Sequence, residues 1–243
     1  MRIIVTAGGT TEAIDGVRGI TNFSSGALGR ELAVNLSVGF DHDVFFLHGK
    51  RTAPAPACQN MEITDTASLQ AALDQIREDH PRIDVIVHAM AVSDYTVAAA
   101  LDLDAVLNEL RALPTITVAD IEAAFGTERP KEGKMSSTVK RPVLVLKQTP
   151  KVIQGLRDMW PYATLIGFKL LNGVLEEDLV QVAQAAMEKT RADYVVANDL
   201  ANIQADRHRA LILSATQETP VSVTETKGDL VWALSRLVHR IAA

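Results

Sequence analysis

Residues 2–9 read RIIVTAGG, a β-branched run that breaks at Gly8-Gly9. An apolar run without alternation is the pattern of a parallel strand covered on both faces, and the glycine pair supplies a tight strand-to-helix turn. Working outward, Leu28, Leu32 and Leu36 recur at helical spacing and place a helix over 25–36. DVFFL (43–47) is a second strand, Leu69, Ala72, Leu73 and Ile76 mark a second amphipathic helix, and DVIVH (84–88) is a third strand. Strand, helix, strand, helix, strand in that order predicts an α/β fold with right-handed crossovers: a Rossmann-like, doubly wound, mainly parallel sheet.

The second half continues in the same style. PVLVLK (142–147), 165–168 and 194–197 read as further strands, Pro150 as the first residue of a helix, and Leu175, Leu179, Val182 and Ala186 as one helix face. Two short apolar runs, 210–213 and 221–223, flank a polar stretch and predict a C-terminal antiparallel hairpin. Leu230, Leu234, Leu237 and Ile241 form a closing helix. Between the halves, 95–133 shows no clear strand. Leu103, Val106, Leu107 and Leu110 share a helical face there, and Pro114, Gly126 and Pro130 punctuate the stretch. The expected organisation is a single domain over 1–243 with an inserted lid or interface excursion at about 95–133.

Composition closes off several classes. With 47% hydrophobic residues in 243, the chain has material for a core and is not disordered. A balance of 24 Lys+Arg against 30 Asp+Glu, net −6, counts against general nucleic-acid binding and leaves room for a local phosphate pocket. Cys58 is the one cysteine, which excludes an intrachain disulfide and a multi-cysteine zinc site. The six histidines show no metal-ligand spacing, and no G-x-S-x-G elbow appears. The chain opens on a strand rather than a leader, and no run of 18 apolar residues occurs, so the expected location is cytoplasmic, with no membrane partner.

Four segments carry candidate chemistry. Gly8 and Gly9 stand where a doubly wound sheet receives phosphates, although G-x-G-x-x-G is absent and the second strand ends in Leu47-His48-Gly49 without a ribose-binding carboxylate. Asn22-Phe23-Ser24-Ser25-Gly26-Ala27-Leu28-Gly29 sets hydroxyl and amide donors at a helix start, where the helix dipole is positive. Gly26 and Gly29 lie one turn apart, and Arg18 adds a cation upstream. HAMAVSDY (88–95) ends the third strand in small residues and Asp94, and Asn198-Asp199 ends a later strand in the same manner. KEGKMSS (131–137) is a lysine-bearing, hydroxyl-rich stretch closing the excursion.

Taken in order, VTAGGTTEAIDGVRGITNFSSGALG (5–29), HAMAVSDY (88–95), EGKMSS (132–137), LKQTPKVI (146–153), IGFK (166–169) and VVANDL (195–200) resemble the phosphopantothenate–cysteine ligases of coenzyme A biosynthesis, in their stand-alone bacterial form. The resemblance implies a two-step ligation. A carboxylate of 4'-phosphopantothenate attacks the α-phosphate of CTP or ATP, with Mg2+ on the phosphates, and cysteine then displaces the nucleotide. It implies that Asn22 and Lys134 are catalytic. It also implies that Gly8, Gly9, Ser24, Ser25, Gly26, Gly29, Met90, Asp94, Thr149, Pro150, Lys151, Val152, Phe168, Asn198 and Asp199 bind nucleotide and phosphate. Arg18 is a candidate for the substrate phosphate, no protein metal site is expected, and a homodimer is implied. CTP-using fused relatives carry lysines on the helix before A-N-D, and Lys189 falls off those positions; CTP is nevertheless the expected nucleotide. On this reading 243 residues hold the ligase without the flavin-dependent decarboxylase that many bacteria fuse to it. The alternatives on the same fold are a nicotinamide-dependent reductase and a non-catalytic nucleotide-binding protein.

Overall fold

The computed structural model describes residues 1–126, 135–204 and 207–241. In chain order, β1 (Arg2–Ala7) leads into a small hairpin of β2 (Thr11–Ala13) and β3 (Gly19–Thr21), then α1 (Ala27–Val34), which runs on as one wide π turn over Asn35–Gly39. Next come β4 (Asp43–Gly49), β5 (Gln59–Ile63), α2 (Thr66–Asp79) and β6 (Val85–His88). The excursion follows as β7 (Tyr95–Asp102), α3 (Leu103–Arg111), α4 (Val118–Gly126) and β8 (Pro142–Gln148). The chain closes with α5 (Val152–Met159), β9 (Thr164–Leu171), α6 (Glu176–Thr190), β10 (Tyr194–Gln204), β11 (Arg207–Ser214), β12 (Ser222–Thr226) and α7 (Lys227–Ile241).

Eight strands form one sheet in the order β12-β11-β10-β9-β6-β1-β4-β5. The six from β10 to β5 are mutually parallel, while β11 and β12 run antiparallel at one edge, the C-terminal hairpin expected from the sequence. Successive residues of the central strands feed opposite layers, as the period-two geometry of a strand requires. Ile4, Phe45, Ile86, Leu165 and Val195 pack under α2, α5 and α6, while Ile3, Val5, Phe46, Val87 and Val196 pack under α1 and α7. Strand order reverses direction between β1 and β6, so the carboxyl ends of these two strands bound the crevice in which such sheets hold ligands.

The structure departs from the sequence expectations in four places. Tyr95–Asp102, read as lacking a strand, pairs antiparallel with Pro142–Gln148, and this two-stranded arm stands outside the main sheet. The PVLVLK strand therefore exists but does not extend the parallel layer. It borders a separate small core in which Ala99, Leu101 and Val106 meet Leu110, Phe125 and Val145. β5 went unrecognised because an edge strand with mostly exposed residues shows no apolar run. α5 begins at Val152 with Lys151 at its cap, so Pro150 precedes the helix rather than opening it. Finally, α6 buries Leu179, Ala183 and Met187, whereas Leu175 is its exposed N-cap and Val182 is 38% exposed. A sequence face of Leu175, Leu179, Val182 and Ala186 is thus rotated about the helix axis from the true one.

The α6 assignment has a direct test. Leu179→Ala should cost about 2–4 kcal/mol in urea unfolding, the usual penalty for emptying a buried leucine site, and Val182→Ala about 1 kcal/mol or less. Equal costs would contradict the buried face.

Candidate functional site at the sheet switch point

The loops leaving β1 and β6 are stitched together. Gly9 and Ala91 form a parallel bridge, the Ala91 N–H donates to Gly8 O at 2.8 Å, and the Thr10 N–H donates to Ala91 O at 3.2 Å. Buried Thr10 and Ser93 add a reciprocal pair: the Ser93 N–H donates to Thr10 Oγ1 and the Thr10 hydroxyl to Ser93 Oγ, both at 2.9 Å. Asn22, just past β3, extends the seam. Its Nδ2 donates to Val92 O at 3.1 Å and Ala91 O at 3.4 Å, so the two carbonyls fix which end of the carboxamide points inward.

On the β4 side of this seam three glycine segments converge on Thr52. Gly8 (φ +85°) and Gly26 (φ +68°) both occupy the left-handed region, which side chains disfavour. A Cβ on either would stand 2.4 or 2.2 Å from Thr52 Oγ1. Gly9 lies against Asn22 O, and Gly29 against Ala7. Thr52 is 4% exposed and donates to Ser25 O at 3.2 Å, tying the serine turn to the loop after β4. Gly26 is the N-cap of α1, so the helix starts at Ala27. Ser24 and Ser25 lie on this turn, half-buried and exposed respectively.

On the other side of the seam, a cavity of about 370 Å³ opens between the ends of β6 and β9 and the helices α5 and α6. Met90, Asp94, Pro150, Lys151, Val152 and Phe168 line it, which brings together six of the residues expected to bind nucleotide and phosphate. Lys151 ion-pairs with Asp94, and Thr149 holds the segment in place by donating its N–H to Asp94 O at 3.0 Å and its hydroxyl to Ser93 O. His88, Lys169 and Lys189 also line the cavity and were not among the expected site residues. Lys189 stands in the last turn of α6, which places it on this wall.

Asn198 and Asp199 end β10 as expected, both buried, but their side chains are engaged within the protein. Asp199 accepts N–H bonds from Gly173 (2.8 Å), Val174 (3.0 Å) and Ala201 (2.9 Å), which shape the turn between β9 and α6. The Gly173 and Ala201 amides hold its carboxyl below the usual aspartate range. Asn198 faces His208 on β11 at 3.4 Å. Arg18 does not stand free either. It pairs with Asp15 at 3.1 Å and donates to Met135 O at 2.6 Å, while Asp15 also accepts the N–H groups of Val17, Arg18 and Met135. Lys134 and the residues 127–134 lie outside the described residues. Among the described residues no three His, Cys, Asp or Glu side chains converge closely enough to hold a metal ion, and no helix is long and apolar enough to cross a membrane.

His88 is 7% exposed, and burial lowers its pKa to about 4. Its Nδ1 lies 2.9 Å from Thr6 Oγ1. Thr52 gives no local sequence signal, since its partner Ser25 lies tens of residues away.

A mainly parallel sheet with a crevice between β1 and β6, close-packed glycines on one side and lysines on the other, defines a Rossmann-like domain. The chain belongs to the DNA/pantothenate metabolism flavoprotein C-terminal domain family, whose model matches residues 1–104 and 97–241. The crystal structure of the DNA/pantothenate metabolism flavoprotein from Streptococcus pneumoniae is 35% identical, covers 99% of both chains and superposes with a TM-score of 0.83. Among curated relatives, the coenzyme A biosynthesis bifunctional protein CoaBC of Thermococcus kodakarensis is 28% identical over 212 residues, 87% of this chain and 44% of that protein. The CoaBC of Methanocaldococcus jannaschii is 28% identical over 200 residues, 82% of this chain and 40% of its own length. The chain thus spans less than half the length of these curated relatives.

His88 makes stability pH-dependent in a defined window. Above pH 6.5 the imidazole is neutral in both folded and unfolded chains. Between 6.5 and about 4 only the unfolded chain takes up the proton, so stability is lost as pH falls, by about 3 kcal/mol in all. The difference in unfolding free energy between His88→Gln and the parent should therefore shrink by about that amount from pH 7 to pH 4. A constant difference across this range would exclude a neutral buried histidine.

Proposed function

We propose that the protein joins 4'-phosphopantothenate to cysteine through an acyl-nucleotidyl intermediate, a step of coenzyme A biosynthesis. Membership of the family and likeness to CoaBC proteins support the pathway. The observation that carries the chemistry is the placement of Asn22 on the seam between the β1 and β6 loops. There it sits between the glycine-lined phosphate floor and the cavity walled by Asp94, Lys151 and Phe168. With Nδ2 committed to Ala91 and Val92, Oδ1 is the atom of Asn22 left for a ligand. It accepts an N–H of the attacking amine and steers its lone pair towards the acyl carbon. Carboxylate attack on a triphosphate needs positioning and charge neutralisation more than covalent help. Gly8, Gly9, Ser24, Ser25, Gly26 and Gly29 supply backbone and hydroxyl donors for the phosphates, and Lys134 supplies positive charge to the reacting centre.

Thr149–Val152 and Phe168 hold the base and ribose, CTP being the preferred nucleotide over ATP. Mg2+ neutralises phosphate charge. With no cluster of three carboxylate or imidazole ligands among the described residues, the donor set fits an ion carried on the phosphates rather than caged by protein. Arg18 is assigned to the substrate phosphate, in exchange for part of its contact with Asp15. The arm of β7 and β8 with α3 and α4 serves as lid or as the contact of a cytoplasmic homodimer, since Tyr95, Ile116, Val118, Ile121 and Leu146 remain exposed on it.

Pyrophosphate release on mixing the protein with phosphopantothenate, cysteine, Mg2+ and either CTP or ATP tests the assignment. Asn22→Ala should slow amide formation by about 10²–10³-fold, the usual cost of one polar group at a reacting centre, with pyrophosphate formation less affected. Near-normal amide formation in this variant would sink the role given to Asn22.

A further inference from the structure

Asn22 is exposed, and its two side-chain bonds, at 3.1 and 3.4 Å, lie at the long end of the normal range. Contacts of this kind hold a carboxamide in one place only if the element that carries it is itself held. That element is the β2–β3 hairpin, a two-stranded sheet of its own with three residues to a strand. A ribbon of this size is marginal in water without something to grip it. Of its six strand residues one alone is buried, and that one is charged: Glu12, 4% exposed.

A carboxylate stays buried only where donors meet it. Glu12 Oε1 accepts the Thr66 N–H at 2.9 Å and the Thr66 hydroxyl at 2.8 Å. Thr66 is the first residue of α2, so the carboxylate sits at a helix N-terminus, where unpaired N–H groups and the helix dipole favour an anion. The helix does not need this contact in order to begin, because it carries its own capping box. Asp65 accepts the Ser68 N–H at 2.8 Å, and Ser68 Oγ accepts the Asp65 N–H at 2.9 Å. Leu69, Leu73 and Ile76 anchor α2 in the core. The contact therefore serves the hairpin, whose strands carry no buried apolar side chain. The link onward to Asn22 is short. Glu12 is the register partner of Ile20 and Thr11 of Thr21, so Asn22 follows directly after the last pair. The Thr11 hydroxyl donates to Thr21 Oγ1 at 3.0 Å, and the Thr11 N–H donates to Thr64 O at 2.6 Å, beside the start of α2. Asn22 lies two residues, roughly 7 Å of strand, from the row that Glu12 holds.

We propose that Glu12 is a positioning residue: by gripping the first turn of α2 it fixes the hairpin, and through the hairpin the place of the Asn22 carboxamide. The proposal rests on the ligase reading above and on the role given there to Asn22. A displacement of about 1 Å in a group that orients a nucleophile costs up to about 10²-fold in rate, so the grip acts on amide formation. The cavity walled by Asp94, Lys151 and Phe168 takes no residue from the hairpin, so nucleotide affinity does not run through Glu12.

The test sets Glu12→Ala and Glu12→Gln beside the parent protein, and Glu12→Ala also in the Asn22→Ala background, measuring amide formation and CTP binding. Glu12→Ala should slow amide formation about 10–100-fold and leave CTP affinity within about threefold of the parent. Glu12→Gln, whose carbonyl oxygen can still accept both Thr66 hydrogens, should recover the rate to within about threefold. In the Asn22→Ala background Glu12→Ala should cost less than about twofold more, because residues that act as a unit are not additive. A full additive loss there overturns the proposal, since a merely structural role lowers activity whether or not Asn22 is present. Near-parent amide formation in Glu12→Ala overturns it as well. If Glu12→Ala does not fold, Glu12→Asp replaces it, keeping the charge and shortening the reach by one methylene; non-additivity with Asn22→Ala is again expected, and additive losses overturn the proposal. A parent protein that releases no pyrophosphate with phosphopantothenate, cysteine and CTP or ATP removes the ligase reading. The ¹⁵N–¹H resonances of the Asn22 carboxamide then decide the role of Glu12: they should move towards those of a free side chain in Glu12→Ala, and resonances unchanged from the parent overturn the assignment.

Discussion

The seam between the β1 and β6 loops is the constraint on which the site depends. In a doubly wound sheet the crossovers leave these two strands in opposite directions, so their carboxyl ends would part and leave open backbone. Here the Gly9–Ala91 bridge and the buried Thr10–Ser93 pair pin them together. The Asn22 carboxamide is then laid along the join. Buried backbone amides demand partners, and these loops satisfy one another rather than water. The result is a fixed edge with a glycine-lined floor on one side and a cavity of about 370 Å³ on the other.

Each side is then shaped by a different means. On the β4 side the shaping is steric: positive φ at Gly8 and Gly26 lets the β1 loop and the start of α1 close around Thr52, which fills the space side chains would otherwise take. On the β9 side it is electrostatic and polar: lysines from β9, α5 and α6 surround a neutral imidazole. Asp199 contributes at one remove, since the Gly173 and Val174 amides it gathers set the turn from which α6 departs, and α6 delivers Lys189. The acidic net charge of the chain has no bearing on this local balance.

The arm stands apart from both. Its helices cover one face of a two-stranded ribbon through a small cluster of their own, and several of its large apolar side chains remain exposed. A two-stranded ribbon is marginal by itself, so α3 and α4 are needed to cover its apolar face. Asp15 and Arg18 fasten Met135, on the approach to β8, to the hairpin carrying Asn22, which links the arm to the site through one buried carboxylate.

By itself the sequence determined the parallel core and pointed to a candidate site. Strands buried on both faces must be apolar throughout, and the turns between them need glycine and small residues, so RIIVTAGG, NFSSGALG and HAMAVSDY announce their roles locally. It also led to most of the cavity wall, through the resemblance of several short motifs. Tertiary structure alone decided the rest. Edge strand β5 and the β7–β8 arm lack the two-sided burial that writes a pattern into sequence, and the buried face of α6 is set by the strands it meets. Thr52 and Lys189 reached their places only because packing brought them there. Arg18 and Asp199, expected at the ligand, also have partners within the protein that no local pattern announces: Asp15 and Met135 O for the one, three backbone amides for the other. A charged residue at a strand end or in a loop satisfies whichever partner folding brings nearest, and that choice is a property of three dimensions.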